Sequence, residues 1–292
     1  MTKEELTKRL GNGTLLLDGA TGSNLMKVGM PKGICIEKWE AEHPEPVSEL
    51  QRSYAEAGSD IIYAPTFMAN RLSLATHGLA DETEHLNRTL VNITKSAVGD
   101  KVLVAGDLTT TGKLMEPLGP MKYEELYESY KEQISYLADA GVDLLVAETM
   151  LASNETLVIL DAAQSVCDLP VFCTLTMEAD GSLFFGGNVF DAVEELEAMG
   201  AFAVGCNCST GPDQLESVIA GIRQRVSIPV IAKPNAGMPT ISPETGEAIY
   251  SMAPEEFAKS MLKLKAAGAS ILGGCCGTTP EFIRELKKAL HS

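Results

Sequence analysis

The chain has 292 residues, with 23 lysines and arginines against 40 aspartates and glutamates, for a formal net charge of −17 at pH 7. Such a balance excludes a nucleic-acid partner. Gripping a phosphate backbone takes clustered positive charge, and Lys287-Lys288 near the C-terminus reads as a solvated helix end. With 45% hydrophobic and 22% charged residues the chain can bury a core, and its length allows one large domain or two small ones.

The first ten residues, MTKEELTKRL, alternate charge with isolated leucines and lack the apolar stretch of a secretory signal. No apolar run approaches the roughly 18 residues that span a bilayer, so a cytoplasmic protein without a membrane partner is expected. Eight short apolar runs then follow, each ending in a polar or special residue: residues 14–18 (TLLLD), 60–66 (DIIYAPT), 101–107 (KVLVAGD), 143–149 (DLLVAET), 170–176 (PVFCTLT), 201–207 (AFAVGCN), 228–233 (IPVIAK) and 269–274 (ASILGG). Runs of this kind suit parallel strands covered on both faces. Between the third and fourth, residues 123–140 place Leu126, Tyr130, Ile134 and Leu137 on one face of an amphipathic helix. Gly58, Gly141, Gly200 and Gly268 each stand just before a run, where a left-handed residue ends a helix. Eight strand–helix repeats predict a single (β/α)8 TIM barrel over residues 1–292, with no room for a second domain. The alternative, an open doubly wound sheet, calls for a phosphate-binding loop that Asp18-Gly19-Ala20-Thr21-Gly22 matches poorly.

In such a barrel chemistry collects where strands end. Those ends are Asp18, Thr66, Asp107, Glu148, Thr176, Cys206 to Cys208, Lys233 to Asn235 and Cys275-Cys276. Seven cysteines, an odd number without an export signal, point to reduced thiols or metal ligands rather than disulfides. Adjacent Cys275 and Cys276, flanked by glycines, can turn both thiolates toward one ion, and a third thiol is at hand in Gly205-Cys206-Asn207-Cys208-Ser209. Three thiolates suit a tetrahedral zinc with an open fourth position; the competing reading is plain packing beneath the mouth. If Cys206 lies within the strand, Cys208 at its end is the ligand. Cys35, Cys167 and Cys173 have no partner at ligand spacing. His43, His77, His85 and His291 fall in expected helices, loops or the tail, which disfavours a His-based zinc hydrolase or a Ser-His-Asp site.

Together, the 273–280 motif (GGCCGTTP), the 205–209 segment, the opening Leu17-Asp18-Gly19-Ala20-Thr21-Gly22 and Ala147-Glu148-Thr149 resemble the homocysteine S-methyltransferase family, from about residue 13 to the C-terminus. The resemblance implies that Cys208, Cys275 and Cys276 hold zinc. It implies that Asn235 can fill the fourth position until the substrate thiol displaces it. Asp18 and Glu148 would receive the homocysteine amino group, the Gly19-Ala20 backbone its carboxylate, and Thr66 belongs to the same substrate pocket. A free thiol with a pKa of about 8.5 is little ionised at neutral pH, and zinc deprotonates it, so the implied reaction needs no covalent enzyme intermediate and no protein base.

For the methyl donor, residues 66–72 and 77–79 and Gly277 are more similar to the homocysteine module of cobalamin-dependent methionine synthases than to enzymes that use S-methylmethionine. Pro65 and Met68 depart from that module's pattern. Because the chain ends one helix after Cys276, a methylcobalamin donor is expected on a separate corrinoid protein, with a further protein binding the ultimate source, 5-methyltetrahydrofolate or another methyl compound. S-methylmethionine, S-adenosylmethionine or betaine would need no partner. Methionine biosynthesis is the expected role, with a catabolic demethylation also open. Two other classes stay in view: a Schiff-base aldolase built on Lys233, which otherwise reads as an ion-paired rim residue, and a non-enzymatic zinc or thiol sensor.

Overall fold

All eight apolar runs fold as parallel strands in the computed structural model, which describes residues 1–178, 180–242 and 248–291. They are β1 (Leu15–Leu16), β2 (Ile61–Ala64), β3 (Leu103–Thr109), β4 (Leu144–Met150), β5 (Val171–Leu175), β6 (Ala203–Cys208), β7 (Val230–Pro234) and, after a hairpin of β8 (Thr240–Ile241) and β9 (Ala248–Ile249), β10 (Ala269–Leu272). The order β1-β10-β7-β6-β5-β4-β3-β2 brings the first two strands to the two edges of one sheet. The seam between them is bridged rather than laddered. Asp60 donates its N–H to Leu16 O at 2.7 Å and accepts the Leu16 N–H on Oδ2 at 2.8 Å, while Asp18 Oδ2 accepts the Tyr63 N–H at 2.8 Å. The result is a nearly closed (β/α)8 barrel.

Period-2 alternation explains the double core. Leu15, Leu17, Ile61, Leu103, Ala105, Leu144, Val146, Phe172, Ala203, Ile231 and Ile271 pack inside the barrel, and Leu6 joins them. Leu6 comes from α1 (Lys3–Gly11), whose start is fixed by a reciprocal capping box of Thr2 and Glu5. The other strand faces pack against the outer helices. These are α2 (Gly22–Lys27), α3 (Ile36–Glu42), α4 (Pro44–Ala57), α5 (Arg71–Ala75), α6 (Thr83–Val98), α7 (Tyr123–Asp139), α8 (Ser153–Val166), α9 (Val189–Ala198), α10 (Glu216–Arg225), α11 (Pro254–Ala266) and α12 (Pro280–Leu290). In α7, the residues Leu126, Tyr130, Ile134 and Leu137 are all buried, as their spacing requires. Gly58, Gly141, Gly200 and Gly268 take φ of 106°, 81°, 94° and 119°, the left-handed stops expected before β2, β4, β6 and β10. The β8–β9 hairpin has no counterpart in the sequence reading, because each strand is only two residues long and exposed. Among the described residues no helix is long and apolar enough to cross a membrane.

Candidate metal and substrate site

The loops that follow the strands converge on a cavity of about 480 Å³, lined among others by Asp18, Gly19, Ala20, Asp107, Glu148, Lys233, Cys208, Cys275 and Cys276. Cys208 ends β6, and the other two thiols stand in the turn after β10. The three sulfurs lie within 4.8 Å of one another, with Cys208 Sγ and Cys276 Sγ 3.9 Å apart. This is far beyond a disulfide bond of about 2.05 Å and close to the roughly 3.8 Å edge of a tetrahedron with metal–sulfur distances of about 2.3 Å. No other cluster of metal-ligating groups is found among the described residues. Cys206 is buried in the core and so is Cys173, whereas Cys35 and Cys167 lie apart from the site.

Several backbone contacts set the thiols in place. Cys275 donates its N–H to Pro234 O at 2.7 Å, and the Ala236 N–H reaches Cys276 O at 2.9 Å. The Thr278 hydroxyl donates to Cys275 O at 2.7 Å and accepts the Ala20 N–H at 3.2 Å, joining the cysteine turn to the loop after β1. Gly19 must be glycine here, since a Cβ would stand 2.6 Å from both Thr278 Oγ1 and the Tyr54 hydroxyl. Gly277, at φ +80°, leaves room for the ring of Tyr250, which a Cβ would meet at 2.4 Å. Among the thiols, Cys276 is drawn down to about 3, mainly by hydrogen bonding from Cys208 and Cys275 and further by the Tyr250 hydroxyl; Cys208, as donor, is pushed up.

Facing the thiols is a buried charge cluster. Lys233 Nζ lies 3.0 Å from Glu148 Oε1 and 3.6 Å from Asp18 Oδ1, and sits 4.8 Å from the centre of the Tyr63 ring. Lys233 is therefore ion-paired but not on the rim, being 3% exposed. Burial opposes its charge, and Glu148 and Asp18 outweigh burial, so it remains an ammonium. Burial also pushes the carboxyls up: Asp18 to about 7, despite Lys233 and the Tyr63 N–H, with Asp107 and Glu148 raised too. Three carboxyl groups thus share one ammonium. Asp107 Oδ1 has no hydrogen-bond partner among the described residues, and Asp18 Oδ1 and Glu148 Oε1 have only the ion pair. A second cation would satisfy the oxygens that Lys233 leaves without a hydrogen bond.

Thr66 is fully buried; its hydroxyl donates to Asp107 O at 2.8 Å and accepts the Asp107 N–H at 3.0 Å, so it supports Asp107 and does not line the cavity. Asn235 is buried just past the end of β7, and its Oδ1 lacks a hydrogen-bond partner among the described residues. Pro65 and Met68 do line the cavity, together with Met26, Ile36 and Phe67. Sequence reasoning passed over Asn207, Thr278 and Tyr250 as site residues. Asn207 and Thr278 stand inside the cysteine motifs, a usable signal; Tyr250 is remote from them in sequence and gave none.

A profile of the family described as "Homocysteine S-methyltransferase" matches residues 15–290. The chain belongs to the homocysteine S-methyltransferase family. It is 29% identical over 308 aligned positions to the methionine synthases of Mycobacterium leprae (strain TN) and Mycobacterium tuberculosis (strain ATCC 25618 / H37Rv), with 98% of this chain and 25% of each relative covered. It spans about a quarter of the length of those relatives. The metallated form of the homocysteine methyltransferase MmuM from Escherichia coli superposes with a TM-score of 0.77 at 23% identity, over 94% of this chain and 96% of that one. The apo form gives 0.72 at 22%, over 95% and 96%. At these identities the superpositions speak for the barrel fold.

Proposed function

We propose that the chain transfers a methyl group to the thiol of homocysteine in a zinc-dependent reaction, giving methionine. The observation that carries this reading is the cluster of Cys208, Cys275 and Cys276 in a cavity also lined by Asp18, Asp107 and Glu148. The donor set fits zinc: three soft thiols within 4.8 Å of one another, one pair at 3.9 Å; Asn235, which the resemblance implies as a weak fourth ligand, is buried just past β7 and is not among the residues that line the cavity. When bound there, zinc supplies the Lewis acidity that keeps a substrate thiol deprotonated at neutral pH. The metallated form of MmuM supports a metal in this fold.

The protein's own groups position the acceptor. Asp18 and Glu148, with Asp107 behind them, take the substrate ammonium as the second cation of the cluster and so fix the amino acid by its charged end. The Gly19–Ala20 loop, which lines the cavity, supplies the carboxylate side. Tyr250 and Asn207 direct hydrogen bonds at Cys276 and Cys275, respectively, which steadies the anionic sulfurs.

As methyl donor, a methylcorrinoid is supported by the residue 66–72 motif and by the methionine synthase relatives. A second reading, a small methylated cation that enters the cavity itself, is favoured by Glu37 and Glu40, two buried carboxyl groups on the cavity wall. The test is methionine formation by the zinc-loaded chain with homocysteine and, in separate assays, methylcobalamin, a methylated corrinoid protein, S-methylmethionine and betaine. Methionine from at least one donor, abolished by zinc removal and restored by zinc, is expected. No methionine from any of them overturns the proposal.

A further inference from the structure

The loop that follows β1 and the turn that follows β10 meet without slack. Gly274 donates its N–H to Asp18 O at 3.0 Å. A Cβ on Gly273 would stand 2.7 Å from Leu17 Cβ, and one on Gly274 would stand 2.5 Å from Thr278 Oγ1, so neither position has room for a side chain. These two segments carry the two halves of the proposed site. Gly19 and Ala20 stand on one, Cys275 and Cys276 on the other, and all four line the same cavity.

Ala20 is held at both of its backbone polar groups by side chains that also hold the cysteine turn. Its N–H is accepted by the Thr278 hydroxyl at 3.2 Å, and that hydroxyl donates in turn to Cys275 O at 2.7 Å. Its carbonyl accepts from Asn24 Nδ2 at 2.7 Å and from the Tyr54 hydroxyl at 2.9 Å. The same two side chains reach Thr278 O, at 2.8 Å from Asn24 Nδ2 and 3.3 Å from the Tyr54 hydroxyl. Tyr54, on α4 and 1% exposed, packs with Ala57, Ile62 and Ile283, which fixes its hydroxyl in place. Closure of the strands does not require this knot. The Leu17 N–H already bonds Leu272 O at 2.7 Å, joining β1 to β10 before the loop begins. In a buried polar junction of this kind neither segment can shift alone without leaving a donor or acceptor unpaired.

We infer that Asn24, Tyr54 and Thr278 are positioning residues that couple metal occupancy of the cysteine turn to recognition of the amino-acid end of the acceptor. The inference rests on the homocysteine methyl-transfer reading of the cavity. A metal draws the thiols of Cys275 and Cys276 to one centre and so fixes the backbone between them, Cys275 O included. Thr278 carries that constraint to the Ala20 N–H, while Asn24 and Tyr54 hold the Ala20 carbonyl. Asp18 O points at Gly274, and in a trans peptide the N–H points opposite to the carbonyl, so the turn also aims the Gly19 N–H. The acceptor's charged end is thereby held best when the metal that activates its thiol is in place.

The experiment uses the full chain and L-2-aminobutanoate, which has the amino and carboxylate groups of homocysteine and no sulfur to bind a metal. Its affinity is measured by calorimetry with zinc loaded and with zinc stripped. Binding about fivefold or more tighter to the loaded wild type is expected, and saturation with the probe raises zinc affinity by the same factor, because coupling between two binding equilibria is reciprocal. In Tyr54→Phe, Asn24→Ala and Thr278→Val the ratio falls to within about twofold of unity, and in Thr278→Ser, which keeps the hydroxyl, it returns to the wild-type value. A merely structural role would lower the urea midpoint and weaken the probe in both forms with the ratio intact. A ratio unchanged in those three variants, or no difference between loaded and stripped wild type, overturns the coupling and leaves the homocysteine reading standing where homocysteine itself binds. Loaded wild type that binds neither homocysteine nor the probe overturns that reading as well.

Discussion

Asn207 and Thr149 exchange two hydrogen bonds: the Thr149 N–H reaches Asn207 Oδ1 at 2.9 Å, and Asn207 Nδ2 reaches Thr149 Oγ1 at 2.7 Å. The pair ties the end of β4 to the end of β6, where the left-handed non-glycine residues among those described stand: Thr149 at φ 57°, and Cys208 and Ser209 at φ 57° and 51°. Such backbone costs about 1–3 kcal/mol per residue and persists only where neighbours over-determine it. Asn207 Nδ2 also lies 3.8 Å from Cys275 Sγ, so one amide holds the strain and touches a thiol. Asn207→Ala is expected to lower stability by about 1–3 kcal/mol and zinc affinity by about 10–100-fold. Urea unfolding and chelator competition check the two effects, and zinc affinity equal to wild type counts against the tie.

Metal content tests the thiol cluster directly. About one zinc per chain is expected in the purified protein, the occupancy of a single three-thiolate site, with loss in Cys208→Ser or Cys276→Ser and retention in Cys206→Ser, whose sulfur is buried in the core. X-ray absorption should show one additional sulfur neighbour when homocysteine is added. Full homocysteine affinity in the zinc-stripped protein would contradict the proposed activation.

Asp18 makes stability depend on pH with a defined sign. Burial holds its carboxyl at about 7 in the folded chain, above the roughly 3.9 of an unfolded one, so the folded state binds the extra proton between those values. The stabilisation linked to that proton is fully present below about pH 4 and is lost as pH rises to about 7. Asn at this position mimics the protonated acid and keeps an acceptor for the Tyr63 N–H. Wild type should therefore lose stability relative to Asp18→Asn as pH is raised from about 4 to about 7, read from urea midpoints; a constant difference across that window would argue against the buried acid.

Lys233→Met should cost about 3–5 kcal/mol, because it strands Asp18 and Glu148 without their buried counter-charge. Since Lys233 remains an ammonium, borohydride with carbonyl compounds should trap no adduct, as Schiff-base formation needs the neutral amine. Denaturation and intact-mass measurements check the two statements. A trapped adduct at Lys233 would revive the aldolase reading.

Much of the barrel was legible in the chain. Strands covered on both faces must be apolar along their length, and that constraint writes itself into eight runs and the glycines before four of them. The meeting of the cysteine pair with Cys208 could be read because thiols at the ends of two strands of one barrel are brought to the same mouth. The short β8–β9 hairpin and Tyr250 could not be read, since two-residue strands carry no periodicity and Tyr250 reaches Cys276 only through the return of the chain over Gly277.

Local composition by itself determined the order of strands and helices, the location of chemistry at the strand ends and the thiol set. Only the tertiary structure decided the electrostatics. Glu37, Asp18, Asp107, Glu148 and Lys233 are ordinary charged residues in sequence, and what sets their protonation and their partners is burial and distance. Both are fixed when the barrel closes, because charges from distant strands meet in a low-dielectric cavity where each must find a counter-charge or take up a proton.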